Sequence, residues 1–95
     1  MRFLFSILFS LVAFAAFSQQ KVSGRVTLQT DGEAAIGVSV KIKGVSGGGV
    51  TDLDGNYSLT VLNSNAVLVF EYTGYVAQEI VVGNQSTINV VLSEN

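Results

Sequence analysis

From residue 22 onward, short aliphatic and β-branched runs alternate with polar positions, and Gly, Asn or Asp cuts them at intervals of roughly ten residues. Val22 to Gln29 carries Val26 and Leu28 on one face and Arg25, Thr27 and Gln29 on the other, then closes on an Asp31-Gly32 turn. Val38 to Lys43 alternates more cleanly. A helix would scatter Val38, Val40 and Ile42 around its circumference, so a strand with those three inward is predicted. Gly44 to Gly49 reads as a flexible link into a short strand at Gly49-Val50-Thr51.

Asp52-Leu53-Asp54-Gly55-Asn56 is the strongest turn, and Tyr57 to Val61 alternates after it until Asn63-Ser64-Asn65 interrupts. Ala66 to Tyr72 is apolar on both faces apart from Glu71, the pattern of a central strand covered on both sides. Thr73-Gly74 marks a kink, Tyr75 to Val82 resumes, Gly83-Asn84-Gln85 turns, and Thr87 to Leu92 is the last strand. About seven short strands at this spacing predict an all-β, two-sheet sandwich. A transmembrane barrel needs at least about eight strands of roughly ten residues, more than this chain holds.

The first stretch belongs to a different solvent. Five of the six Phe (Phe3, Phe5, Phe9, Phe14 and Phe17) lie there, behind a single basic residue, Arg2. Ala16-Phe17-Ser18 then places small residues where a signal peptidase must fit. The apolar run from Phe3 to Phe17 is shorter than the roughly 20 residues that cross a bilayer, so residues 1–18 are expected to form a signal-peptide helix cleaved near Ser18/Gln19. Residues 19–95 are then an exported β-sandwich domain with no membrane span of its own.

Composition narrows the chemistry. Residues 19–95 keep four bases (Lys21, Arg25, Lys41, Lys43) against seven acids, a net charge of 4 − 7 = −3, which offers nucleic acid no basic footprint. With no Cys there are no disulfides, thiolate sites or lipid-anchoring Cys, and with no His the commonest general base and zinc ligand are missing. No Pro guards the sheet edges. A domain of this size buries only about 60% of its unfolded surface, so it depends on a well-packed sheet core or on belonging to something larger.

Each motif has a plain reading. Asp52-Leu53-Asp54-Gly55-Asn56 alternates oxygen-bearing side chains like a calcium loop, but its Gly is fourth and its twelfth position is Asn63. A turn is expected instead, with Asp54 capping it, Gly55 at positive φ and Asn56 restarting the strand. Gly44 to Gly49 lacks the Gly-Lys-Ser/Thr ending and the helix of a phosphate loop. It reads as a mobile linker, or as a segment against which a partner backbone could lie closely. Glu71 and Glu79 are expected to be solvated or paired across strands with Lys41 or Lys43. Tyr57 and Tyr72 fall at inward phases, Tyr75 is expected to be partly exposed after Gly74, and one Tyr makes no sugar platform. Asn56-Tyr57-Ser58 and Asn84-Gln85-Ser86 match a glycosylation sequon that is frequent by chance.

Taken in order, Gly24-Arg25-Val26, Asp31-Gly32, Gly37 to Val40, Lys43-Gly44, Val50-Thr51-Asp52, Asp54 to Leu59, Phe70-Glu71-Tyr72, Gly74-Tyr75 and Glu79 resemble the carboxypeptidase-regulatory-like domain. In Bacteroidetes this domain stands at the N-terminus of SusC/RagA-type TonB-dependent outer-membrane receptors. The resemblance covers essentially all of residues 19–95, and departs from it by lacking Pro around Glu33 to Ile36 and Leu62 to Asn65. It implies a seven-stranded transthyretin-like (prealbumin-like) sandwich with no catalytic residue, metal or cofactor. Asp52, Asp54, Gly55, Asn56, Gly74 and Tyr75 are its structural turn residues. In metallocarboxypeptidases a similar domain is only an accessory to the zinc enzyme.

Family members continue into a plug and barrel, so the chain is expected to be either a receptor fragment or a free-standing copy of the domain. The function implied is an accessory or docking domain on the periplasmic side of a glycan or peptide receptor. Its partners would be the barrel and plug or a periplasmic TonB-system component, with no nucleic acid. The alternative is an autonomous periplasmic or surface module that binds a protein through a sheet edge, or, ranked lower, a carbohydrate.

Overall fold

The computed structural model describes residues 19–95, and the expected signal peptide lies outside them. Seven strands form: β1 (Gln20–Leu28), β2 (Ser39–Ile42), β3 (Gly49–Val50), β4 (Asn56–Val61), β5 (Val67–Glu71), β6 (Gln78–Val81) and β7 (Val90–Leu92). They make two sheets, ordered β4-β1-β7 and β3-β2-β5-β6. None of the described residues forms a helix able to cross a membrane.

Period-two patterning sets the faces. Val22 and Val26 of β1, Val40 of β2, Tyr57 and Val61 of β4, Leu68 and Phe70 of β5, and Val90 and Leu92 of β7 are buried in one core. Tyr57 packs edge-on to Phe70, their centroids 5.3 Å apart, which joins the sheets at the centre. Most pairings are antiparallel, but β1 and β7 run parallel, with Val26 opposite Val90 and Leu28 opposite Leu92.

The strand count and inward positions agree with the sequence expectation, and three details differ. The run from Tyr75 to Val82 does not form a single strand. Its start turns toward the chain end, where Val76 N–H donates to Ser93 O at 2.9 Å and Tyr75 bridges Glu94, and only Gln78–Val81 pairs with β5. β5 is central but has the second sheet on one face only: Leu68 and Phe70 enter the core, while Val67 and Val69 stay half-buried on the outside. Val69 stands opposite Lys41 and Glu79, whose long side chains account for its partial cover. Finally, Gly44 to Gly48 lies within the connection of a hairpin, with Val40 of β2 opposite Gly49 of β3. The close backbone approach there is internal, because a Cβ on Gly48 would lie 2.6 Å from Val40 O.

Candidate docking surface

One corner of the sandwich is fastened by polar groups. Asp52 accepts from the N–H groups of Asp54 (3.0 Å) and Asn56 (2.9 Å) on its Oδ1, and its backbone carbonyl accepts from Gly55 N–H (3.0 Å). The cap of this turn is therefore Asp52, not Asp54. Standing two residues before Asp54 and four before Asn56, Asp52 reaches both amides with one oxygen, whereas from position 54 only the Asn56 amide lies ahead within the turn, and Asp52 already holds it. Asp54 contributes its carbonyl, which accepts from Arg25 Nε at 2.9 Å.

Gly55 has φ +78° and packs so closely that a Cβ would lie 2.5 Å from Val26 O. Both facts require glycine. Val26 N–H in turn donates to Gly55 O at 2.8 Å. Asn56 begins β4, as expected.

Thr51 received no role from the sequence, yet it is the one buried polar side chain among the described residues. Its hydroxyl donates to Ala35 O at 2.5 Å and accepts from Val38 N–H at 2.9 Å, binding the 35–38 segment to the turn. The only sequence signal was its place at the head of Thr-Asp-x-Asp-Gly-x-Tyr. At the end of that motif the Tyr57 hydroxyl donates to Ile88 O at 2.5 Å. Burial pushes its pKa up to about 12. An added Cβ on Gly24 would collide with the same Ile88 carbonyl, so Gly24 lets residues 87–89 run close alongside β1.

Gly74 and Tyr75 belong to a separate place. Gly74 has φ +88°, and Tyr75 is half-buried with its ring 5.4 Å from that of Tyr72, tilted by 32°. Among the described residues, no hydrogen bond joins this pair to the Asp52–Asn56 turn. The two tyrosines border a shallow cleft of about 500 Å³ that also holds Ser39, Lys41 and Glu71. On this outer face Lys41 pairs with Glu71 and Lys43 with Glu79, each at 3.0 Å and each well exposed, as expected of cross-strand partners. Their strength is small in water. Neither carboxylate is left as an unpaired acid–base candidate, and among the described residues no group of three or more metal-ligating side chains converges.

The edges of the sheets differ. β7 is covered: Val76 N–H reaches Ser93 O, Asn95 N–H reaches Gly74 O, and Gln78 Nε2 donates to Val91 O. β3 has two residues, and β6 has four and carries Glu79. β4 presents six regular residues with no charge and no bulge. Long uncharged edges are the ones proteins ordinarily cover or charge.

The CarboxypepD_reg-like domain family matches residues 22–95. TonB-dependent receptor P3 of Formosa agariphila is 45% identical over 89 residues, 94% of this chain and 9% of that receptor. TonB-dependent receptor SusC of Bacteroides thetaiotaomicron is 35% identical over 98 residues, covering 98% of this chain and 10% of its own length. TonB-dependent receptor P39 of Formosa agariphila is 39% identical over 75 residues, 79% of this chain and 7% of its own. The chain spans about a tenth of the length of the curated relatives it matches.

Proposed function

Because the chain belongs to the CarboxypepD_reg-like domain family, we propose that it is a non-catalytic accessory or docking domain of a TonB-linked outer-membrane receptor for glycan or peptide nutrients, working on the periplasmic side. The observation that carries this reading is the match of 94% of the chain to a small part of a TonB-dependent receptor at 45% identity. The site chemistry supports it. The polar residues most specific to the sequence, Thr51, Asp52, Arg25 and Tyr57, spend their hydrogen bonds on the backbone of the domain itself. Lys41, Lys43, Glu71 and Glu79 neutralise one another. Such a domain offers surfaces, not reacting groups. Its partners on this reading are the receptor's own plug and barrel or a periplasmic component of the TonB system.

A chimera tests the proposal. Residues 22–95 replace their counterpart alone in TonB-dependent receptor P3, and TonB-dependent uptake is compared with the parent and with a receptor deleted for that counterpart. Uptake retained by the chimera and lowered by the deletion is expected. Uptake indifferent to the deletion would sink the accessory role.

A further inference from the structure

The hydrogen-bond parity of β4 shows which groups its free edge offers. Val26 N–H donates to Gly55 O, and β1 and β4 continue in unbroken antiparallel register from Arg25 opposite Asn56 to Gln20 opposite Val61. In such a ladder alternate residues exchange both backbone bonds with the partner strand, so Tyr57, Leu59 and Val61 aim theirs at β1. Asn56, Ser58 and Thr60 aim theirs outward. Those of Asn56 are already taken, its N–H by the Asp52 carboxylate and its carbonyl by Asp52 N–H. Two donors and two acceptors remain, on Ser58 and Thr60, with no partner among the described residues. Beside them lies a cleft of about 300 Å³ that Ile42 and the 45–49 segment also line.

We propose that this edge pairs with the same edge of a second copy of the chain, antiparallel and about a two-fold axis at Leu59. That register sets Ser58 of each copy opposite Thr60 of the other and satisfies all four free groups of both strands. An axis at Ser58 instead would oppose Thr60 to Asn56, whose groups are occupied. Three further features fit a second copy. Outward positions meet outward positions, so two hydroxyl pairs form on the solvent face, a favourable cross-strand combination. Tyr57 faces Val61, continuing the apolar inner face. No charged residue lies between 56 and 66, so the acidic Asp52–Asp54 turn of each copy comes alongside the neutral 62–65 segment of the other and not beside its own counterpart. A self-complementary patch of this kind is what a closed two-fold dimer requires.

The test is sedimentation velocity and amide hydrogen exchange on the whole chain, exported and recovered from the host envelope, from micromolar to millimolar concentration. It compares the natural sequence with two double variants at these exposed positions. The natural chain is expected to form a concentration-dependent dimer that protects the Ser58 and Thr60 amides. Ser58→Lys with Thr60→Lys sets like charges directly opposite and is expected to abolish the dimer. Ser58→Lys with Thr60→Glu sets opposite charges there and is expected to keep or tighten it. A natural chain that stays monomeric with both amides unprotected overturns the proposal. So does a dimer indifferent to the paired lysines, or a lysine–glutamate variant that dissociates as the paired lysines do. None of these outcomes bears on the receptor reading.

Discussion

Two glycine-bearing turns of similar polarity, Thr51–Asn56 and Gly44–Gly48, behave as opposites. In the first, the side chains of Thr51, Asp52 and Arg25 reach backbone groups on two segments, 35–38 and 54–56. In the second, Val45 N–H donating to Ile42 O at 3.1 Å is the one backbone bond within the turn. Glycine content therefore says little about how firmly a turn is held. What matters is whether its polar atoms have buried or inter-strand partners.

Substitution can break that contrast. Gly55→Ala forces an unfavourable φ and a clash with Val26 O together, and is expected to cost about 3 kcal/mol, read as a lower urea midpoint at unchanged slope. A shift near zero would mean the corner is not fastened. Thr51→Val keeps the shape but strands Ala35 O and Val38 N–H in the interior, at an expected cost of about 2 kcal/mol.

Alkaline titration sharpens the picture at the far end of the same motif. The Tyr57 hydroxyl ionises near pH 10 when unfolded and near 12 when folded, so between those values unfolding releases a proton. Its contribution is complete below pH 10 and falls by about 1.4 kcal/mol per pH unit until about pH 12. Tyr57→Phe should flatten this slope in alkaline unfolding curves. The smallest effect belongs to the other turn. Gly47→Ala meets no atom within 4 Å and pays only for its φ of +91°, so a loss of about 1 kcal/mol is expected.

Most of the strand frame was legible because each inward face is written locally. Val38-Ser39-Val40-Lys41-Ile42 and Tyr57-Ser58-Leu59-Thr60-Val61 show their buried side by alternation alone. Partner choice was not. Nothing local in Thr87 to Leu92 says that β7 lies parallel to β1, because that pairing is decided across some sixty intervening residues. The division of Tyr75 to Val82 between two neighbours was hidden for the same reason. In the corner, the Asp-Gly turn was visible, but the identity of its capping carboxylate and the burial of Thr51 depend on which backbone groups come to lie above it. Lys41 and Lys43 found their acids because both sit on one outward phase.

The parallel contact of β1 with β7 also has a mechanical meaning. A pull entering at the start of β1 and leaving at the end of β7 runs along both strands, so their mutual hydrogen bonds are loaded side by side and not unzipped one at a time. Ser23 with Ser86 and Ile88, and Gln29 with Leu92, share that load at either end of the contact. Traction along this axis is resisted by all of these bonds together, whereas the same force applied across the β2–β3 hairpin would peel it open from the glycine end.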